Sequence, residues 1–253
     1  MSSTTSIKTD SDIQKMLLGG KMAADILTHI MSDLKVGVST LDIDRKIEKL
    51  IVEKGGESSF KRVAGYKHSS CICINDQIVH TPPSNQLIKD GDVVCVDMGV
   101  FFGGFHTDVA DTKVVGRSNE KKDTFLDIGK KTLESAIERA RAGAPISDIS
   151  EVIWENITKK GFHIVPSLTG HGVGRELHEA PSIPGVVTGE SKKTILKKGM
   201  TIAIEIIYSE KKGPLVYENN DGWSLVVKGG GMTACFEKTI AVTDESPLVI
   251  TSY

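Results

Sequence analysis

Cysteine is scarce in this chain of 253 residues, which contains four cysteines. They stand at positions 71, 73, 95 and 235, and no two of them have the C-x-x-C spacing that is typical of zinc and redox motifs. A disulfide-rich secreted domain would carry a denser set of cysteines. We therefore expect reduced thiols, a cytoplasmic location and no zinc knuckle.

Long hydrophobic segments are missing as well. No apolar run reaches the length of about 18 residues that a membrane-spanning helix needs, and the polar first ten residues lack the apolar core of a signal peptide. The formal net charge is −2, so we expect no basic surface for nucleic acid. These absences argue against membrane proteins and nucleic-acid-binding proteins.

The composition that remains is typical of a globular protein. Charged residues make up 25% of the chain and hydrophobic residues 39%. A chain of this length buries about 70–75% of its surface on folding, which is enough for a sizeable core.

The stretch 93–108 organises the rest of the chain. Residues 93–102 are apolar and β-branched, which predicts a buried strand, and the glycines at 103 and 104 predict a two-residue hairpin turn. In that register Asp108 lies opposite Gly99, and Asp97 lies two residues from Gly99 on the same face. The two carboxylates then form a diagonal cross-strand pair, with Cα atoms about 7–8 Å apart.

Two acids that converge inside an apolar sheet should not both be ionised unless cations neutralise them. The alternative is that each acid forms a salt bridge at a sheet edge, which is the commoner situation for a single acid. The choice depends on whether the chain supplies further metal ligands.

The sequence also contains an internal repeat. Seven residues of the segment 37–55 recur in the segment 143–161 at a constant offset of 106, and the segment 87–97 resembles 195–205 at an offset of 108. Chance similarity is the alternative, but the constant offset favours a duplication. Hydrophobic periodicity predicts helices from the caps at 9–12 to about 33, from 40 to 54, from 121 to 141 and from 147 to 160, and strands near 58–64, 71–76, 92–102 and 105–115.

The second half carries three more candidate ligands. Glu205 lies in an apolar strand pattern as the counterpart of Asp97, Glu237 lies in the middle of another, and His171 stands between glycines that leave its imidazole open to a ligand. Together with Asp97 and Asp108, these acids carry four negative charges, which two divalent ions would neutralise. One nitrogen and several carboxylate oxygens suit Mn, Fe(II) or Co and also allow Zn. Such a centre can activate water for hydrolysis.

These residues occur in motifs that resemble those of the type I methionine aminopeptidases, which have the pita-bread, or creatinase-like, fold. The motifs are Val-Asp97-Met-Gly, Gly-Phe-His-Thr-Asp108, Gly-His171-Gly-Val-Gly-Arg-Glu-Leu-His178-Glu-Ala-Pro, Ala-Ile-Glu205 and Phe-Glu237-Lys-Thr. The resemblance implies an α+β fold with two helix–strand halves, roughly 10–118 and 119–253, related by a pseudo-twofold axis around a central curved sheet. It implies a single catalytic domain over residues 1–253.

The resemblance also implies a role for each ligand. Asp108 and Glu237 are expected to bridge two divalent ions. Asp97 is expected to complete the coordination of one ion, and His171 and Glu205 that of the other. Glu205 is also expected to move a proton. The ions are Co, Mn, Fe or Zn, which these ligand types do not distinguish.

Two further histidines are implied to be catalytic. His178 is expected to face the scissile carbonyl and stabilise its oxyanion, and His80 to lie beside the first peptide amide of the substrate. For either histidine alone, a structural role in a loop is the alternative. The pocket for the methionine side chain is expected to be formed by Tyr66, Cys71, Leu177 and Trp223.

The implied reaction is removal of the N-terminal methionine from nascent proteins whose second residue is small. The implied setting is a cytoplasmic monomer that associates transiently with the ribosome. The alternatives are a proline-specific pita-bread peptidase and a non-catalytic binding module of the same fold. The chain departs from the family pattern by Lys238 in place of histidine, Ile206 in place of proline, Thr81 in place of glycine, Leu177 in place of an aromatic residue, and a loop 65–71 that is one residue short.

Overall fold

The structure is a computed structural model that describes residues 2–252. The α-helices of this part of the chain are α1 (Asp10–Asp33), α2 (Thr40–Glu53), α3 (Glu120–Ile137), α4 (Ser147–Thr158) and α5 (Gly189–Lys193). The strands are β1 (Ser2–Thr5), β2 (Glu57–Ser58), β3 (Ser70–Ile74), β4 (Gln77–Val79), β5 (Val93–Phe102), β6 (Phe105–Val114), β7 (His163–Ile164), β8 (Thr169–Gly172), β9 (Glu179–Pro184), β10 (Thr201–Ser209), β11 (Leu215–Tyr217), β12 (Leu225–Val227), β13 (Thr233–Ala241) and β14 (Leu248–Val249).

Most strands belong to one mixed sheet. Eleven strands form this sheet, whose main order is β1-β9-β8-β10-β13-β6-β5-β2, while β3, β7 and β14 pair with β5, β10 and β13. A small second sheet has the order β11-β12-β4. At the centre of the large sheet, β5 and β6 from the first half of the chain meet β13 and β10 from the second half. The predicted α+β fold, with two halves around a central sheet, is confirmed.

Each half buries its two long helices against one face of this sheet. Val96 of β5 lies in the hydrophobic core that contains residues of α1 and α2, and Ile204 of β10 lies in the core that contains residues of α3 and α4. Successive strand residues point to opposite faces. The neighbouring acids Asp97 and Glu205 therefore point to the face of the sheet that is turned away from the helices.

Local sequence signals account for the first two helix starts. Thr9 accepts a hydrogen bond from the backbone of Asp12, and the Asp12 carboxylate accepts one from the backbone of Thr9, which forms a capping box at α1. The Ser39 hydroxyl caps α2 by accepting from the backbone of Asp42. Both predicted starts are confirmed. None of the helices between residues 2 and 252 is long and apolar enough to cross a membrane.

The predicted hairpin register is also confirmed. The turn lies at Gly103 and Gly104, both with positive φ, and Asp108 is paired with Gly99. Glycine adopts a positive φ at both of these consecutive positions without strain. The resulting turn matches the twist of the flanking strands. The position of Asp108 relative to Asp97 therefore follows directly from the glycine pair.

The predicted strand at 58–64 is wrong beyond its first residue. Strand pairing ends at Ser58, and Phe60–Arg62 form a 3-10 helix. The spacing of Phe60, Val63 and Tyr66 is three residues, which suits a helical turn rather than an alternating strand. These side chains leave the sheet and pack together in one hydrophobic cluster.

Helix α1 packs unusually close to the chain end that follows β14. A methyl group added at Gly20 would lie 2.3 Å from the carbonyl oxygen of Ile250 and 2.5 Å from its Cγ2 atom. No side chain fits there without displacing backbone, which explains why a glycine occupies the middle of a long helix despite its low helix propensity.

Gly20→Ala is therefore expected to lower the free energy of unfolding by about 1–3 kcal/mol, the usual cost of overpacking. Gly189→Ala is the matched control, because an added methyl group there meets no atom within 4 Å. Thermal unfolding followed by circular dichroism measures both variants. Equal melting temperatures for the two would contradict the close approach.

Candidate metal centre

Three of the predicted ligands lie in one row across the four central strands. Asp97 on β5 and Glu237 on β13 both pair with Ala110 of β6, and Glu237 also pairs with Glu205 of β10. Residues that are directly opposite each other on neighbouring strands point to the same face. The fold therefore brings three carboxylates from both halves of the chain onto one face of the sheet.

The other two predicted ligands lie one step along the strands. Asp108 is two residues from Ala110 on β6, and His171 on β8 pairs with Ala203 of β10. The ligand atoms of Asp108, His171 and Glu237 all lie within 4.8 Å of one another. The structure thus brings together the five residues that the sequence pattern nominated.

The hydrogen bonding of His171 fixes its tautomer. Its Nδ1 atom lies 2.9 Å from the carbonyl oxygen of Gly172, and a carbonyl can only accept, so Nδ1 carries the proton. The lone pair on Nε2 then faces Glu205 Oε1 at 3.5 Å and Asp108 Oδ2 at 3.8 Å. Burial lowers the pKa of His171 to about 3, so the ring is neutral at physiological pH. A neutral acceptor facing two carboxylates is the arrangement of a ligand set that needs a cation.

The four carboxylates of the site also indicate that it needs a cation. Asp97 Oδ1 and Glu237 Oε1 are buried and have no hydrogen-bond partner among the described residues. Burial raises the pKa of Asp97 to about 7. It raises the pKa of Asp108, Glu205 and Glu237 well above the usual value, and the charge of Asp97 adds to each of the three shifts. Divalent ions would compensate both the desolvation and the mutual repulsion. The donor set, with carboxylate oxygens and one imidazole nitrogen, fits such ions.

A cavity of about 370 Å³ opens over this centre. All of the predicted site residues line it: Asp97, Asp108, His171, Glu205, Glu237, His80, His178, Tyr66, Cys71, Leu177 and Trp223. The ring of His178 lies 4.5 Å from that of His171, measured between centroids. Desolvation lowers the pKa of His80, and it lowers the pKa of His178 to about 4. Both rings are therefore neutral at pH 7 and can each donate one hydrogen bond.

The apolar end of the cavity has an aromatic wall formed by buried Tyr66 and partly buried Trp223. Tyr66 and Trp223 meet edge to face, with 5.0 Å between ring centroids, and the Tyr66 hydroxyl lies 3.1 Å from Cys71 Sγ. Leu177 is buried in the same cluster. This end can accept a flexible apolar side chain, because sulfur and aromatic groups surround it.

The comparisons with known proteins agree with this geometry. The profile of metallopeptidase family M24 matches residues 14–244. The chain belongs to this family. A methionine aminopeptidase of Clostridium perfringens is 33% identical over 97% of this chain and 98% of its own length. The solved structure of a methionine aminopeptidase from Thermotoga maritima has a TM-score of 0.95 at 34% identity, covering 99% of this chain and 100% of that chain.

Membership in family M24 makes the chain a metal-dependent hydrolase and confirms the resemblance to methionine aminopeptidases. The alternative of a proline-specific peptidase has weaker support. A prolidase from Pyrococcus furiosus has a TM-score of 0.78 at 24% identity, and this chain covers 65% of it. That likeness shows a shared fold. The alternative of a non-catalytic binding module also has weaker support, because all five candidate ligands are present and line one cavity.

Two departures from the family pattern lie outside the cavity. Ile206 and Lys238 follow the candidate ligands Glu205 and Glu237, so they point to the helix-covered face. Ile206 is buried in the core that contains residues of α3 and α4, and the Lys238 amine donates to the carbonyl of Thr251 at 2.8 Å. These substitutions therefore do not alter the lining of the cavity.

Sequence reasoning missed several residues that shape the site. The Thr239 hydroxyl accepts from the backbone N–H of Asp108 at 2.9 Å and donates to its carbonyl at 2.8 Å, which holds that strand in place. Phe60 and Val63 line the cavity. Their three-residue spacing with Tyr66 indicates a helical turn, and the predicted strand at 58–64 did not take this spacing into account.

The short loop before β3 has an anchor that the sequence did not reveal. Asp44 of α2 is buried and accepts from the Ser69 backbone and the Ser70 hydroxyl, both at 2.8 Å. A buried carboxylate with charge-assisted hydrogen bonds is a strong local constraint. It fixes the loop that carries Tyr66 and leads into Cys71.

Proposed function

We propose that the chain is a methionine aminopeptidase that removes the N-terminal methionine when the second residue is small. The observation that carries the proposal is the position of the apolar pocket, which opens into the same cavity as the five converging ligands and the two neutral histidines. The full-length similarity to methionine aminopeptidases supports it.

The centre would hold two divalent ions of Co, Mn, Fe or Zn. Asp97, Asp108, His171, Glu205 and Glu237 would hold these ions, with Asp108 and Glu237 as the ligands on which both depend. When bound, the ions supply an activated water and polarise the scissile carbonyl. Four acids and a neutral imidazole balance the charge of two such ions, which supports this number.

The neutral histidines would position and stabilise the peptide. His178 would donate from its ring to the carbonyl oxygen as negative charge develops there. His80 would contact the first peptide amide. Glu205, which lines the same cavity as the two histidines, would carry a proton between the water and the departing amine.

The pocket would select methionine by its shape and by its polarisable lining. The thioether is unbranched and polarisable, and Tyr66, Cys71, Leu177 and Trp223 offer aromatic, sulfur and aliphatic contacts. The second residue would lie between this pocket and the histidines, so only a small side chain would fit. Nascent proteins, a transient contact with the ribosome, a monomeric state and a cytoplasmic location belong to the same proposal.

The test is a panel of Met-x-Ala peptides with the protein loaded with Mn(II) or Co(II). Cleavage is expected when x is glycine, alanine or serine, and not when x is lysine or phenylalanine. Formylated peptides should resist, because the free amine is needed at the centre. Equal cleavage at x = Gly and x = Phe would contradict the proposal. With Leu-Ala-Ala and x-Pro peptides added to the panel, release of leucine as fast as methionine, or cleavage confined to the x-Pro peptides, would contradict it too.

Leu177→Phe tests the pocket assignment. It adds an aromatic wall and is expected to lower KM for methionine peptides more than for leucine peptides, by a modest factor, since one apolar contact is worth about 1–3 kcal/mol at most. Leu18→Phe, at an exposed leucine of α1, is the control. Unchanged relative KM values in steady-state assays would remove Leu177 from the pocket.

A further inference from the structure

A second opening lies beside the catalytic cavity. This groove of about 830 Å³ shares Val63, Leu177 and His178 with the cavity. The remaining lining of the groove is polar and consists of Ser59, Arg62, His106, Arg175 and Glu176. The shared His178 is the residue placed at the scissile carbonyl, so the groove begins where a substrate chain would continue past the cleavage point.

Two arginines of this groove are held against aromatic rings. The Arg62 guanidinium lies 4.0 Å from the ring centroid of Phe101, and the Arg175 guanidinium lies 4.9 Å from that of Phe105. Both rings belong to the β5–β6 hairpin, which the Gly103 turn closes. Cation–π contacts restrict both side chains before any ligand arrives, which reduces the entropy lost on binding.

The acids beside these two arginines form only weak pairs with them, so both guanidinium groups remain available to a ligand. Arg62 pairs with the exposed Glu57 at 2.9 Å. Arg175 Nη2 lies 3.8 Å from Asp12 Oδ1, beyond hydrogen-bond distance, and the other oxygen of that carboxylate accepts from the backbone of Thr9 in the helix cap. Exposed pairs of this kind are weak and exchange readily.

The floor of the groove adds no compensating charge. His106 is buried, and its Nδ1 lies 2.9 Å from the Ser59 hydroxyl. Among the residues that line the groove, Arg62 and Arg175 stand against one acid, Glu176, while Glu57 and Asp12, the acids that pair with the arginines, lie outside the lining. The two guanidinium groups are therefore the cationic donors that a ligand in the groove would meet, although the whole chain carries −2.

We propose that this groove binds the substrate chain beyond its second residue and favours acidic side chains at the third and fourth positions. The inference rests on the proposed function, because it places the groove downstream of the cleaved bond. A carboxylate is the chemistry that fixed guanidinium groups recognise. The carboxylate of a short peptide's own C-terminus could contribute the same contact, so it must be removed in the test.

The experiment uses C-terminally amidated Met-Ala-x-x peptides with x = Asp, Ala or Lys and the metal-loaded protein. At low ionic strength, kcat/KM is expected to be about 3- to 20-fold higher for Asp than for Lys, with Ala between them. The Asp to Lys ratio should fall toward one in 0.5 M NaCl and in the double variant Arg62→Gln, Arg175→Gln. Arg45→Gln, which removes an exposed arginine paired with Asp42, should leave the ratio unchanged.

A ratio of one in the unaltered protein, or a ratio that survives the double substitution, would overturn the proposal. Failure to cleave any of the peptides would instead contradict the proposed function. Labelled peptides with a reduced first peptide bond, which cannot be hydrolysed, then test binding to the groove independently of cleavage. Their affinity, measured by fluorescence anisotropy, should follow the order Asp, Ala, Lys, and equal affinities would reject the groove.

Discussion

Glu237→Ala is expected to lose bound metal and peptidase activity together. Glu237 is buried, and its Oε1 atom has no hydrogen-bond partner among the described residues. Its carboxylate lies within 4.8 Å of the ligand atoms of Asp108 and His171, and also of those of Glu205 and Cys235. Its loss should lower the rate by roughly 10³-fold or more, because a bound metal contributes several kcal/mol to transition-state stabilisation. Metal analysis after dialysis and steady-state kinetics measure the two effects.

The control for this variant is Glu155→Ala, which removes an exposed acid of α4 paired with Lys159. It should keep both metal and activity. Exhaustive chelation of the unaltered protein should reproduce the loss of rate, and Mn(II) or Co(II) should restore it. Undiminished turnover after chelation, or a full complement of metal in Glu237→Ala, would contradict the dinuclear centre.

Stability supplies a readout that does not depend on activity. Burial raises the pKa of Glu237, so at neutral pH the metal-free fold must either keep a buried carboxylate ionised or take up a proton, and both cost free energy relative to the unfolded chain. Glu237→Gln removes that cost and keeps the shape. We therefore expect the metal-free variant to melt at a higher temperature than the metal-free unaltered protein, and metal to raise the melting temperature of the unaltered protein more strongly.

Local signals explain why the hairpin could be predicted from the sequence. The Gly103 turn determines the pairing of β5 with β6, and a period of two then places Asp97 and Asp108 on one face. The repeat suggested that Glu205 occupies an equivalent place, and the resemblance supplied the remaining roles. That β13 lies between β6 and β10 depends on how the two halves meet, which no local pattern reports.

The elements that were missed depend on contacts between distant parts of the chain. Thr239 acts through the backbone of Asp108 on another strand. Arg62, at the end of the 3-10 helix, and Arg175, in the loop between β8 and β9, come to the same groove, and the rings that hold them lie on the β5–β6 hairpin. In the sequence each of these is an ordinary polar residue, so periodicity and spacing could not single them out.

The loop that carries His178 is fixed independently of the histidine itself. The Lys8 amine and the Glu179 carboxylate form a buried ion pair at 2.5 Å, and the other oxygen of Glu179 accepts from the backbone of Glu176. The side chain of Lys8 also passes where a methyl group on Gly174 would lie, 2.2 Å from its Cε atom. Breaking a buried pair is costly, so this contact should hold the loop after a substitution at His178.

His178→Ala is accordingly expected to lower kcat by about 10²–10³, the usual cost of one oxyanion donor, while metal content stays unchanged. KM should change little, because the methionine pocket and the ligand set are retained. His29→Ala, at an exposed histidine of α1, is the control and should behave like the unaltered protein. Loss of metal in His178→Ala would mean that this histidine is a ligand. An unchanged kcat would mean that the carbonyl is polarised without it, and either outcome would reject the role proposed for His178.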